Sequence, residues 1–186
     1  MITRRQWEQA RRWAWEFVRS SGLPLREQEF GQIEVVDLGL GELETTGLQI
    51  LTLAGTDWVG VKLLILRPRQ FFPQHRHPPS LGGDYPGKTE VLHGHYGKAF
   101  LYVPGNPTLA AQAGPPPDRR PYCSVWHEIL IEPGNQHICP PNTWHWFQAG
   151  ERGAVLWSIS SRITDAADQF SDPQVVRETK ILEEPS

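Results

Sequence analysis

The sequence predicts an all-β barrel or sandwich with one amphipathic helix in front of it. Three observations predict this. Apolar residues recur at steps of three and four over residues 4–18, the period of a helix. From Ile33 onward they fall instead into short β-rich runs. Seventeen glycines and seventeen prolines interrupt those runs at short intervals, as turns between many short strands require. The chain has 186 residues, the size of one domain of ~100–200 residues. A domain of that length buries roughly 70% of its unfolded surface and needs no disulfide staple.

The helix comes first. Thr3 is placed to cap it. Trp7, Ala10, Trp13 or Ala14, Phe17 and Val18 make its apolar stripe, arginines fill the other face, and Gly22 and Pro24 stop it. The strand runs follow in order: IEVVDLGLG, TTGLQILTLAG, WVGVKLLILRP, TEVLHGHYG, KAFLYVPG, YCSVWHEILIEPG, QHICPPN, WHWFQAG and GAVLWSISS. One long polar loop, residues 104–121, breaks the rhythm, and loops of that length are functional covers or disordered. The segment after Thr164 reads as one helical turn near Val175 and then acidic coil. The expected organisation is a helical arm over 1–30, a barrel over 31–165 and a C-terminal tail over 166–186.

Composition removes several classes of function. The net charge is −3 and no basic stripe marks a nucleic-acid surface. No run approaches the ~20 apolar residues of a membrane span, and the N-terminus lacks the apolar centre of a signal peptide. The two cysteines, Cys123 and Cys139, lie among apolar neighbours and read as buried free thiols of a cytoplasmic protein. Eight tryptophans are many; their N–H groups favour pocket walls and interfaces.

The chemistry concentrates in HRHPPSLGGDYPGKTE. His75 and His77 stand two apart, so in a strand they share a face. Pro78 and Pro79 end that strand, and a return strand from Lys88 brings Glu90 opposite the histidines. Neutral imidazole binds Mn, Fe, Co, Ni or Zn, and an added carboxylate shifts preference toward Mn(II) or Fe(II). A fourth candidate is His145, three residues after Asn142 in GNQHICPPNTWHWF.

Two blocks carry a resemblance: His75, His77, Glu90 and Gly97, then Gly134, Pro140, Asn142 and His145. Their order resembles the two motifs of the cupin superfamily. Asn142 takes the place of the second motif's glycine, and asparagine also tolerates a left-handed turn. Twelve residues separate His77 from Glu90, an insertion relative to the usual motif. The phrases QHRHPP, GKTE, YGKAFLYVPG, VWHEILIEPG, PPNTWHWFQAG and FSDP, in this order over about residues 35–173, resemble the D-lyxose isomerase family of manganese cupins. The resemblance implies a double-stranded β-helix (jelly-roll) barrel. Inside it His75, His77, Glu90 and His145 bind Mn2+, or Fe2+, Co2+ or Zn2+ in its place. It implies interconversion of D-lyxose and D-xylulose, with D-mannose and D-fructose as a neighbouring pair, by proton transfer through a cis-enediol.

Lys62 sits in the apolar run WVGVKLLIL; it either snorkels at a strand edge or enters the barrel. The family's lysine at this place puts it in the pocket as a catalytic group. The family's late-strand glutamate is Ser158 here, and its arginines are His93 and His95. Glu128 is then the candidate second acid/base, with His127 beside it. His95, Trp146 and Ser158 are candidate sugar contacts. A monosaccharide is the expected partner, with a homodimer built on a barrel face and the helical arm. Two other functions compete: a different metal enzyme such as an Fe(II) oxygenase, and a cupin that binds a sugar without turning it over.

Overall fold

A computed structural model describes residues 1–182. A two-residue strand, β1 (Ile2–Thr3), leads into helix α1 (Arg4–Ser20). Thr3 caps it as expected and does so reciprocally. Its hydroxyl accepts the Gln6 N–H at 3.2 Å, and the Gln6 side chain accepts the Thr3 N–H at 2.9 Å. The helix ends at Ser21, followed by Gly22 at φ +90°.

After α2 (Glu27–Phe30) come nine strands: β2 (Ile33–Val36), β3 (Leu48–Gly55), β4 (Gly60–Leu66), β5 (Phe71–Arg76), β6 (Glu90–Val103), β7 (His127–Ile131), β8 (Gln136–Cys139), β9 (His145–Ser160) and β10 (Gln169–Phe170). The last strand, β11 (Ile181–Leu182), pairs in parallel with β1. The other pairs are antiparallel and form one curled sheet, the cupin-type barrel that the motifs imply, with its main helix at the N-terminus. β9 is central. Its first half pairs with β5, its second half with β4, and its other edge runs along β6.

Two pairs of expected runs are single strands. TEVLHGHYG and KAFLYVPG join in β6, and WHWFQAG and GAVLWSISS join in β9. Glycine makes a bulge here instead of a hairpin. Gly97 has φ +68°, and a Cβ on it would lie 2.0 Å from the Gly153 carbonyl oxygen, so only glycine lets the two strands stay paired through the bend.

The sheet has an inner and two outer packing faces. Leu48, Ile50, Leu64, Phe72, Leu92, Leu101, Phe147 and Leu156 fill the inside. On the outside, α1 sets Ala14, Trp15 and Val18 against Ile33, Leu51, Leu63, Ile65 and Val155. Burying side chains of this size stabilises by about 1.5–3 kcal/mol each. The helix therefore lies flat on the barrel and does not reach away as an arm. The long loop and the segment that follows it cover a second outer patch, with Ala113, Cys123 and Val125 packed among Phe71, Phe100, Tyr102 and Trp146. Arg119 ties it down through Asp172 at 3.1 Å and Glu42 at 3.2 Å.

The segment after Thr164 does not trail away. A short turn, Asp165–Ala167, leads into β10, which pairs Gln169 and Phe170 with Arg76 and His75. Residues 183–186 of the expected tail lie outside the described residues. Among the described residues no helix is long and apolar enough to cross a membrane.

Candidate metal centre and its pocket

Strand alternation places the site. β5 carries an irregularity between Phe72 and His75, and beyond it His75 and His77 both face inward with Phe72. His145 opens β9 directly opposite His75. Asn142, at φ +58°, makes the left-handed turn before it, and its N–H donates to the His77 carbonyl at 2.9 Å. Glu90 opens β6 and faces the same interior.

The three imidazoles converge: one nitrogen from each of His75, His77 and His145 lies within 4.8 Å of the others. Glu90 Oε2 stands 3.1 Å from His77 Nε2 and 3.8 Å from His145 Nε2. The second nitrogen of each ring is already engaged. His75 Nδ1 meets the Pro73 carbonyl at 3.0 Å, and His145 Nδ1 meets the Thr143 carbonyl at 2.9 Å. A carbonyl only accepts, so Nδ1 carries the proton in both rings and the Nε2 lone pairs are left for the interior. His77 Nδ1 is held by Asp168 at 2.6 Å. This is how metal-binding imidazoles are oriented.

The electrostatics agree. Burial lowers His75 well below its ordinary value, with His145 and His77 adding to the effect, and burial and His77 push His145 down to about 4. Both rings stay neutral, as ligands must. His77 differs: burial would lower it, but its bonds to Asp168 and Glu90 raise it. Burial would raise Glu90, yet Lys88 and His77 hold it well below the usual carboxylate range. His145 Nε2 is buried without a protein hydrogen-bond partner. Such a nitrogen is costly unless something binds it. Three imidazoles and one carboxylate make a donor set that fits a divalent cation.

A small cavity, partly open to solvent, adjoins this cluster. One side is apolar, made by Leu48, Ile50, Leu64, Phe72 and Phe147. The other is charged. Lys62 Nζ pairs with Asp165 Oδ2, Lys88 Nζ lies 3.1 Å from Asp165 Oδ1, and Arg177 reaches Asp165 at 3.6 Å. Lys62 thus enters the barrel and does not snorkel. Its cross-strand neighbour on β9 is Ser158.

The remaining expected residues divide. Ser158 faces inward but donates its hydroxyl to Glu90 Oε1, so it steadies that carboxylate and does not line the cavity. Glu128 is not at the pocket: its carboxylate takes the Tyr102 hydroxyl and the Gln112 N–H, the latter at 2.7 Å, on the outer face. Trp146 is outside as well, since His145 and Phe147 on either side face in. It stacks on Tyr102 at 3.8 Å and donates to the Val125 carbonyl at 2.8 Å. His95 lies under the end of α1, its Nε2 3.2 Å from the Ser21 carbonyl. Glu90 and Leu92 face inward, so alternation turns His93 and His95 outward.

Sequence reasoning missed Lys88, Asp165, Asp168 and Arg177. Lys88 had a signal, two residues before Glu90 and so on its face of an extended chain. The two aspartates had none, because no local pattern tells a tail that folds back from one that does not.

No family model matches the chain. Curated relatives do. It is 42% identical over 182 residues, 98% of this chain and 100% of the relative, to a D-lyxose ketol-isomerase of Thermofilum sp.. It is 45% identical over 172 residues, 92% of this chain and 93% of the relative, to a D-lyxose ketol-isomerase of Cohnella laeviribosi. A D-lyxose/D-mannose isomerase of Thermosediminibacter oceani is 45% identical over 163 residues, 88% of this chain and 89% of that one. Among solved structures, the L-ribose isomerase of Acinetobacter sp. DL28 in complex with L-ribose superposes with a TM-score of 0.79. It shares 15% identity and matches over 97% of this chain and 98% of its own, a likeness of fold.

Proposed function

The chain belongs to the D-lyxose ketol-isomerase family of sugar isomerases, and on that premise we propose that its pocket interconverts D-lyxose and D-xylulose, with D-mannose and D-fructose as a second pair. One observation carries the reading: three imidazole nitrogens and a carboxylate converge beside a cavity that His75, His77, Glu90 and the buried Lys62 line. We propose Mn2+ as the resident ion, held by His75, His77, Glu90 and His145. When bound, it would supply Lewis acidity toward the sugar's carbonyl group.

The protein groups supply the rest. Pro73, Thr143 and Asp168 aim the imidazoles, and Ser158 fixes Glu90. Lys62 is the proton donor for the carbonyl oxygen, since it alone among the pocket's cations stands on the barrel wall opposite Ser158. Leu48, Ile50, Leu64, Phe72 and Phe147 keep one side of the cavity free of competing water. Glu128, offered by the sequence as second acid/base, has no part in this.

Metal analysis and solvent exchange test the reading. Purified protein should retain near one equivalent of divalent metal per chain. Turnover of D-lyxose in D₂O should then place deuterium at C1 of D-xylulose and at C2 of recovered D-lyxose. Oxygen uptake without exchange would favour an oxygenase, and sugar binding without exchange a binding protein.

Two finer statements go with this. We propose a homodimer, using an outer-face row of apolar side chains that crosses four strands: Val61, Ile159, Val91 and Ile138. Ile159 and Ile138 are 42% and 57% exposed, unusual for isoleucines in paired strands. We also propose a cytoplasmic location, supported by two buried, unpaired cysteines.

A further inference from the structure

Exchange through an enediol moves two protons, one between C2 and C1 and one between O1 and O2. The oxygen proton has Lys62. The carbon proton needs a base, and the late-strand glutamate expected from the resemblance is Ser158. A serine hydroxyl already donating to Glu90 cannot take it.

Among the described residues, three carboxylates line the cavity: Glu90, Asp165 and Asp168. Glu90 lies among the imidazole nitrogens, so using it as a base would disturb the metal set. Asp168 is occupied by His77 Nδ1. Asp165 has no imidazole partner; ammonium groups meet both of its oxygens. One of these is Lys62, whose cross-strand neighbour is Ser158. A glutamate at 158 would flank Lys62 from β9, and Asp165 reaches the same ammonium from the turn that follows β9.

We propose that Asp165 is the base that carries the proton between C2 and C1, replacing the late-strand glutamate, while Lys62 carries the oxygen proton. The proposal rests on the isomerase reading above. In the aldose direction, the Asp165 carboxylate takes the C2 proton. The C2–H electron pair forms the C1–C2 double bond, and the carbonyl oxygen O1 takes a proton from Lys62. The enediol then collapses. Asp165 returns its proton to C1, O2 gives its proton to Lys62, and C2 becomes the ketone. Protons and electrons balance without any co-reactant.

Burial would raise the Asp165 carboxyl, but Lys88 and Lys62 lower it to about 2, so it is ionised in the resting pocket. When Lys62 turns its ammonium to the sugar oxygen, Asp165 loses one of the three cations beside it and keeps Lys88 and Arg177. Its basicity rises at the stage when a proton must be taken.

The test uses the Mn2+-loaded protein and D-lyxose in D₂O. Asp165→Asn should keep its metal and bind the sugar, as read by calorimetry, while exchange and turnover fall by about 10³-fold, within the range for loss of an acid/base group. Asp165→Ala should regain exchange when formate is added, because a small carboxylate can enter the vacated space; loss of a merely structural contact gives no such rescue. Exchange in Asp165→Asn within about tenfold of wild type, or an Asp165→Ala protein that formate does not restore, would overturn the proposal. Wild-type protein without exchange would instead overturn the isomerase reading, so the two failures are distinct.

Discussion

Asp168 shows how much one side chain outside the proposed ligand set can matter. It holds His77 by Nδ1 and thereby aims Nε2 at the site. Asp168→Ala should weaken metal affinity by about 10–100-fold, measured by competition with a chelator, with little change in fold. Glu128 gives the opposite prediction. It accepts from Tyr102 and Gln112 on the far side of the sheet. Glu128→Ala should cost about 1–3 kcal/mol in urea unfolding and leave turnover of the folded enzyme unchanged. Asp165 has a pH signature. Its folded value of about 2 lies below the ~3.9 of an unfolded aspartate. A depressed carboxylate contributes stability above its unfolded value and loses it as pH falls toward the folded one. The stability gap between wild type and Asp165→Asn should therefore be full above about pH 4 and shrink toward pH 2, followed by urea unfolding across that range.

Individual elements were legible in proportion to how local their signals were. Helix α1 was read correctly from its three- and four-residue period, its Thr3 cap and its Gly22 stop, because each is written within a few residues. Thr3→Ala should cost about 1 kcal/mol in thermal or chemical unfolding, since it removes the hydroxyl half of a reciprocal cap. The two long strands were read as four, because a glycine that bends a strand and a glycine that ends one look alike without the partner strand. The partner of Gly97 is Gly153, more than fifty residues away. Strand parity worked where it was applied strictly. It set His75 and His77 on one face, where Glu90 meets them, and it turns His95 away from Glu90 and Trp146 away from His145.

For the whole molecule, the barrel and the convergence of His75, His77, His145 and Glu90 were legible because two spaced motifs encode them. What closes the pocket was not legible. Lys88, Asp165, Asp168 and Arg177 come from loops and the C-terminal segment, where side-chain direction is set by tertiary packing and not by period. The proposed homodimer belongs to this scale as well. Light scattering should give twice the chain mass for the wild type, and Ile159→Asp should shift it to one chain mass with the folded spectrum intact. A monomeric wild type would remove the pairing.

The return of the chain along β5 after the barrel is complete has a practical consequence. A protein cut just past Ser160 would keep β2 to β9 and all four proposed ligands, and would look sound by circular dichroism. Yet it would lack the aspartate that steers His77 and the one that pairs with both lysines. Such a trimmed sample would be well formed, poor in metal and inert, and a screen for folding alone would pass it.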